Sequence, residues 1–430
     1  MIRPTLSRPT IRKVLTAAFL LGAAVGLPAA PAAAAGCPDA LRVPGAELQV
    51  SACLADLTTA GTLASGHTVQ ADWAGLTPAG AQNPSGVPGI QLDGYFPDTS
   101  ATNTHHGWNH DAQFVIRLPE HWNGGLVVAG TPGVRRQYAN DFAISDWVLA
   151  KGYAYAATDK GNTGAAFHTD GAEPGDAIAE WNDRVTQLTR AARETLRLRY
   201  GRTPARTFTA GISNGGYLVR WQLERHPELY TGGVDWEGTL WTPEGPNLLR
   251  FLPTALAGRP EEVYPADSAP LWDYHRQVYW GLTQSIYRQE LDPGYTGDEA
   301  AYDYATRPRS VVRAVRKISL SGRISRPMIT LHGTLDALLP IDQDSDAYSR
   351  MIENEGRGRF HRYYRLEGGN HVDGLYDAFP SLLRPILPCF RTAFDAVEQW
   401  TATGHRPPPS ATLTRPSTGD LATTCALENR

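Results

Sequence analysis

Residues 207–223 constrain this chain more than any other stretch. Thr207-Phe-Thr209 alternates β-branched and aromatic residues and predicts a short strand. Leu218, Trp221, Gln222 and Leu223 recur at helical spacing. That helix should end at His226-Pro227, because a residue before proline avoids helical backbone. Between strand and helix lies Gly211-Ile-Ser213-Asn-Gly215. A turn this abrupt strains the serine backbone and needs neighbours without side chains. The arrangement presents Ser213 Oγ at the edge of a sheet, as a nucleophile elbow does. Gly and Ser are common, so the pentapeptide alone specifies little. The rest of the chain has to supply a base and an acid.

The first 35 residues predict a secretory signal peptide. Arg3, Arg8, Arg12 and Lys13 precede an apolar run from Val14 to Leu27, and Ala30-Pro-Ala-Ala-Ala-Ala35 offers small-residue cleavage positions. The run is too short to span a bilayer as a helix. No arginine pair precedes it, which favours the general secretory route over the twin-arginine one. Cleavage is expected near Ala35-Gly36. Losing four basic residues takes the formal charge from −4 to about −8. A mildly acidic surface argues against nucleic acid and anionic membrane as partners.

Cys37, Cys53, Cys389 and Cys425 are the four cysteines. An even number in an exported chain implies disulfides, with three possible pairings. The sequence-local pairs, Cys37–Cys53 and Cys389–Cys425, are expected to staple the two ends, each contributing roughly 3–4 kcal/mol by loop closure. Gly36-Cys37 would also suit a lipoprotein, but the leucine that opens such a site is missing.

Residues 36 to about 110 are rich in Gly, Pro, Thr and Ala and predict an irregular or β-rich segment. His105, His106, His110 and Asp111 cluster there at a spacing that fits no standard zinc site, so a polar loop is expected. From Ala112 the pattern sharpens. Phe114, Ile116 and Leu118 alternate as a strand. Gly125–Gly130 and Gly152–Thr158 are short apolar runs, with a helix over 141–149 between them. Asp176–Tyr200 is an amphipathic helix with Gly201 as its stop. Residues 233–238 predict another strand, as do 327–331 and 362–366. Helices are expected over 343–354 and 382–400. Apolar strands alternating with helices predict a mostly parallel sheet with helices on both faces.

Residues 239–320 break that rhythm. Aromatic residues crowd among Gly and Pro, and the segment is expected to be a lid, with Trp241, Trp272, Tyr279 and Trp280 meeting substrate. The expected division is therefore 1–35 signal peptide, 36–238 and 321–430 core, and 239–320 insertion. The proline-rich run from Pro407 predicts an irregular tail pinned by Cys425.

Serine is a weak nucleophile and needs a base within hydrogen-bond reach, itself oriented by an acid. One strand ends and Asp336 follows in a turn. Another ends and His371 follows in the Gly-rich Glu367-Gly-Gly-Asn-His371. The order Ser213, Asp336, His371 is that of the α/β-hydrolase fold. Asp235 and Glu237 are alternative acids, while His332 and Asp373 are expected to be structural. Backbone amides should stabilise the oxyanion: Asn214 after the nucleophile, and Thr131 after the Gly125–Gly130 strand, with Gly133 in reserve. Asp342, Asp344, Asp346 and Glu353 imitate a calcium loop, yet Ala347 stands where glycine is needed. No metal or organic cofactor is expected.

The stretches Leu118-Pro-Glu-His-Trp-Asn-Gly and Gly152-Tyr-Ala-Tyr-Ala-Ala-Thr-Asp resemble the tannase and feruloyl esterase family. That family pairs a cysteine before the serine with one beside the histidine; here those positions are Ile212 and Asn370. The resemblance implies ester hydrolysis, and the leading expectation is a secreted serine esterase acting on aromatic esters or short polyester oligomers. Gly211-Ile-Ser-Asn-Gly-Gly-Tyr with His226-Pro-Glu-Leu-Tyr230 is similar to the prolyl oligopeptidase elbow. A secreted peptidase or amidase with the same three residues is the alternative. Oligomeric state is not legible.

Overall fold

The computed structural model describes residues 41–417 and 421–428. In chain order the strands are β1 (Leu48–Leu54), β2 (Gly89–Tyr95), β3 (Gln113–Pro119), β4 (Gly125–Gly130), β5 (Ala154–Thr158), β6 (Arg206–Ile212), β7 (Gly232–Trp236), β8 (Met328–Gly333), β9 (His361–Leu366) and β10 (Ala411–Leu413). They form one sheet in the order β1-β2-β3-β5-β4-β6-β7-β8-β9-β10. From β5 to β10 every neighbouring pair is parallel; β1 to β3 join at one side antiparallel.

Alternation along each strand divides the apolar side chains between two cores. In β4, Leu126 and Val128 join the core under helices Asp176–Tyr200 and Asn214–Arg225. Val127 and Ala129 join the opposite core, with helix Leu387–Thr403. A parallel sheet covered on both faces needs such unbroken apolar strands. Helix Asp176–Tyr200 stops where expected, at Gly201 in the left-handed region (φ 74°), whose N–H reaches Arg197 O.

Two expectations change, and one narrows: of the irregular or β-rich alternatives for the N-terminal segment, the β-rich one holds. The N-terminal segment supplies two full strands, β1 and β2. Their pattern was hidden because buried β2 carries Gln91 and Asp93, which are satisfied by Arg117 and Tyr138. The last helix starts at Leu387 rather than near Leu382. Proline fits only its first turn, and Pro385 and Pro388 set that start. The tail is not wholly irregular, since Ala411–Leu413 pairs with β9 as an edge strand. Cys389 and Cys425 are disulfide-bonded, with Cα atoms 4.9 Å apart. Cys53 is also disulfide-bonded. Cys37 lies outside the described residues, as does the expected signal peptide.

Strands β6, β7, β8 and β9 end along one edge. Ile212 pairs with Trp236, Trp236 with Leu331, and Leu331 with Tyr364. The loops after β8 and β9 then meet glycine to glycine. A methyl group on Gly333 would lie 2.2 Å from the Gly369 carbonyl carbon. Gly333→Ala must therefore force these loops apart. It should cost roughly 1–3 kcal/mol, as overpacking does, and lower activity by displacing what the loops carry. Chemical denaturation together with turnover checks this; an Ala variant with native stability and activity would contradict the contact.

Candidate active site

Ser213 begins the helix that follows β6. Its backbone lies at φ 59°, ψ −121°, a strained conformation that costs on the order of 1–3 kcal/mol. Close packing holds it there. A β-carbon on Gly211 would approach Gly215 O to 2.3 Å, and one on Gly215 would approach Gly130 O to 2.1 Å. The Ser213 amide donates to Trp236 O at 2.9 Å, fixing the turn against β7.

His371 reaches Ser213 from the loop after β9. Its Nε2 is 2.9 Å from Ser213 Oγ. Its Nδ1 donates to Asp336 Oδ2 at 2.8 Å. The other Asp336 oxygen accepts from the amides of Leu338 and Leu339 at 2.7 and 2.9 Å. Burial alone would raise the Asp336 carboxyl, but His371 and His332 beside it hold it well below the usual carboxylate range. It is therefore an anion at neutral pH. Among the described residues, the structure thus joins Ser213, His371 and Asp336 in one hydrogen-bonded line. A carboxylate that fixes the imidazole tautomer and a hydroxyl facing the free ring nitrogen can together raise the nucleophilicity of serine.

A cavity of about 230 Å³ opens over Ser213 and His371. Its walls are largely apolar and come from distant parts of the chain, including Leu76, Val134, Leu248, Ile286 and Leu338. A larger cleft bordered by Arg250 and Asp303 has no serine, histidine or cysteine on its walls.

Of the four aromatic residues expected to meet substrate, only Tyr279 lines the cavity. Trp241 is fully buried, packed against Tyr287 in the core. Trp272 is turned to Ser268 Oγ, to which its Nε1 donates at 2.8 Å. Trp280 is fully buried, stacks on Tyr264, and donates to Ala337 O at 2.7 Å. Tyr264 OH donates to Leu338 O at 3.2 Å. Trp280 and Tyr264 thus grip the turn that carries Asp336.

The residues expected to supply the oxyanion amides occupy different places. Asn214 borders the cavity as the first residue of its helix, where N–H groups lack intrahelical partners. Thr131 does not border it. Its hydroxyl is tied to Lys160 Nζ at 2.6 Å, and burial pushes that ammonium down to about 7. Gly133 stands on the wall instead. The Asn214 side chain fixes the Gly133 turn by donating to Gly133 O at 3.1 Å; it also meets Tyr287 OH and accepts from Thr239. Tyr287 belongs to the aromatic crowding of residues 239–320 and lines the cavity, whereas Leu76, also on the wall, carries no sequence signal.

The alternative acids separate clearly. Asp235 pairs with Arg220 at 2.7 Å and accepts from the Gly238 amide. Glu237 is fully buried with Oε2 3.2 Å from His371 Nδ1. Asp373 accepts from the amides of Ile386 and Leu387 and holds the start of the last helix. His332 is buried, with Nε2 3.3 Å from Asp336 and Nδ1 2.7 Å from Ser345 Oγ.

Among the described residues, donors that could share a metal converge only at Glu237, Asp336 and His371, whose ligand atoms lie within 4.8 Å of one another. Two of those atoms already form the His371–Asp336 hydrogen bond. The N-terminal histidines diverge: His105 turns to His67 O, His106 to Tyr138 OH, and His110 to Asp111 O. In the calcium-like stretch, Asp344 pairs with Arg220 and Asp346 with Arg365.

Residues 99–235 match the family model of tannase and feruloyl esterase. No curated protein matches the chain in sequence. Among solved structures, feruloyl esterase B from Aspergillus oryzae superposes with a TM-score of 0.51 at 12% identity, covering 85% of this chain and 89% of that one. Tannin acyl hydrolase from Aspergillus niger gives 0.51 at 13% identity, covering 86% of each chain. The fold is that of the α/β-hydrolases.

Burial lowers the basicity of His332, but Glu237 and Asp336 outweigh it and raise the group from 6.5 to about 9. A raised folded-state value stabilises the fold fully below the unfolded value and less as pH rises through the folded one. Stability owed to His332 should therefore be present below pH 6.5 and disappear as pH passes about 9. Denaturation midpoints between pH 6 and 10 should fall less steeply for His332→Gln than for the parent. Parallel curves would show that His332 is not charged in the fold.

Proposed function

We propose that this protein is a secreted serine hydrolase that cleaves carboxylic esters. The observation that carries the reading is the Ser213–His371–Asp336 line, at hydrogen-bond distances, beneath an apolar cavity. The family match over residues 99–235 supports ester hydrolysis. The described residues contain no helix long and apolar enough to cross a membrane.

Ser213 Oγ attacks the ester carbonyl while His371 Nε2 accepts its proton. The amides of Asn214 and Gly133 receive the developing oxyanion. Asp336 stabilises the imidazolium. His371 then gives the proton to the departing alcohol, leaving an acyl-Ser213. Water, deprotonated by the same nitrogen, releases the acid and restores Ser213. No step requires a metal or organic cofactor. The cavity is smaller than the ~300–1,000 Å³ of pockets for drug-sized ligands. It suits a compact acyl group, aromatic or from a short polyester, with the rest of the substrate outside. Residues 239–320 act as its cap, and residues 1–35 are removed on export.

Ser213→Ala should fold normally and lose several orders of magnitude in kcat on acyl esters. Near-normal turnover by a folded variant would refute the serine mechanism. Matched ester and amide substrates separate the esterase from the peptidase, the ester being much the faster. Within the cap, Tyr279→Ala should change the ranking of acyl groups with little change in melting temperature, because it removes cavity wall. Trp280→Ala should instead lower the melting temperature, because it removes core and the donor to Ala337. Equal melting losses in both would place Tyr279 in the core as well.

A further inference from the structure

A second carboxyl stands behind the histidine. Glu237 leaves β7 at φ 50°, a left-handed conformation uncommon for a residue with a β-carbon. Its side chain is fully buried. Oε1 accepts from the Gly333 amide at 2.5 Å. Oε2 has no conventional hydrogen-bond partner among the described residues, yet lies 3.2 Å from His371 Nδ1. Asp336 Oδ2 is 2.8 Å from the same nitrogen. The single Nδ1 proton therefore faces two carboxyl groups from two different strands.

Two adjacent buried carboxylates disfavour each other's charge. Burial and the neighbouring Asp336 push Glu237 well above the usual carboxyl range, while His371 and His332 hold Asp336 low. Glu237 is thus the acid of the pair that takes up a proton more readily. Once protonated, Glu237 can donate its O–H to Asp336. The other titratable groups around the pair are His332 from β8, Asp344 beyond it, and Tyr264 and His275 from the insertion.

We propose that Glu237 is a second positioning acid for His371, able to orient its imidazole when Asp336 cannot. Removing the Asp336 charge removes the repulsion that raises Glu237. The Gly333 amide and His332 remain to favour its carboxylate. The geometry for the substitution already exists, since Oε2 lies only 0.4 Å farther from Nδ1 than Asp336 Oδ2 does. Asp235 has no such access, because Arg220 holds it.

The inference rests on the serine mechanism proposed above, which Ser213→Ala tests separately. The experiment is a double-mutant cycle of Asp336→Asn and Glu237→Gln, read as kcat and KM on one ester at pH 8. Where a triad acid stands alone, its Asn variant loses about 10⁴ in turnover. Here Asp336→Asn should lose only about 10- to 100-fold. Glu237→Gln alone should cost a few-fold, since glutamine can still donate to Asp336. The double variant should lose at least about 100-fold more than Asp336→Asn, all in kcat with KM steady. A structural role for Glu237 would instead give independent losses that multiply. Asp336→Ala carries the same comparison if the Asn variant does not fold. The proposal is overturned if Asp336→Asn alone loses about 10⁴. It is also overturned if Glu237→Gln costs no more with Asn at 336 than with Asp. Either result, with Ser213→Ala inactive, leaves the serine mechanism standing and removes only the second acid.

Discussion

Backbone touches backbone at two glycine contacts, and the rest of the site depends on them. Gly215 lies against Gly130, which seats the Ser213 turn on β4. Gly333 lies against Gly369, which brings the loop after β8 onto the loop after β9. The first contact holds the nucleophile in a strained conformation that the surrounding packing must sustain. The second closes the distance between an acid and a base 35 residues apart in sequence. Neither approach tolerates a β-carbon, so the site is set by the absence of side chains as much as by their presence.

Around these contacts runs a buried network that is more charged than the three aligned residues require. Asp336 is shared by His371 and His332. His332 continues through Ser345 to Arg220, and Arg220 bridges Asp235 and Asp344. The network ties the serine helix, β7, β8 and the helix Ser345–Asn354 together. Breaking such a group on one side leaves an uncompensated buried charge, which is why its members act as one unit. The insertion adds a second layer of support, with Trp280 and Tyr264 bonding the carbonyls next to Asp336. Most of its aromatic residues therefore support the acid turn and the core, while Leu248, Leu282 and Ile286 join Tyr279 and Tyr287 on the cavity wall.

The sequence by itself determined the alternation of apolar strands and helices, and with it a parallel sheet covered on both faces. It also marked Ser213, Asp336 and His371, because each sits in a turn after a strand, and strand ends are readable from period and glycine. Local pattern suffices there, since period-2 alternation and helix stops are properties of neighbouring residues. Tertiary structure decided the rest. Strand β2 was hidden because its polar Gln91 and Asp93 are paid for by partners on other elements. Only the folded chain shows that Gly133, rather than Thr131, borders the cavity. Trp241, Trp272 and Trp280 left the substrate wall for the same reason: an aromatic residue has one composition whether it faces a ligand or a core. The approach of Glu237 to His371 arises from the register of β7 against β8 and of β8 against β9, relations between distant segments that no local pattern encodes.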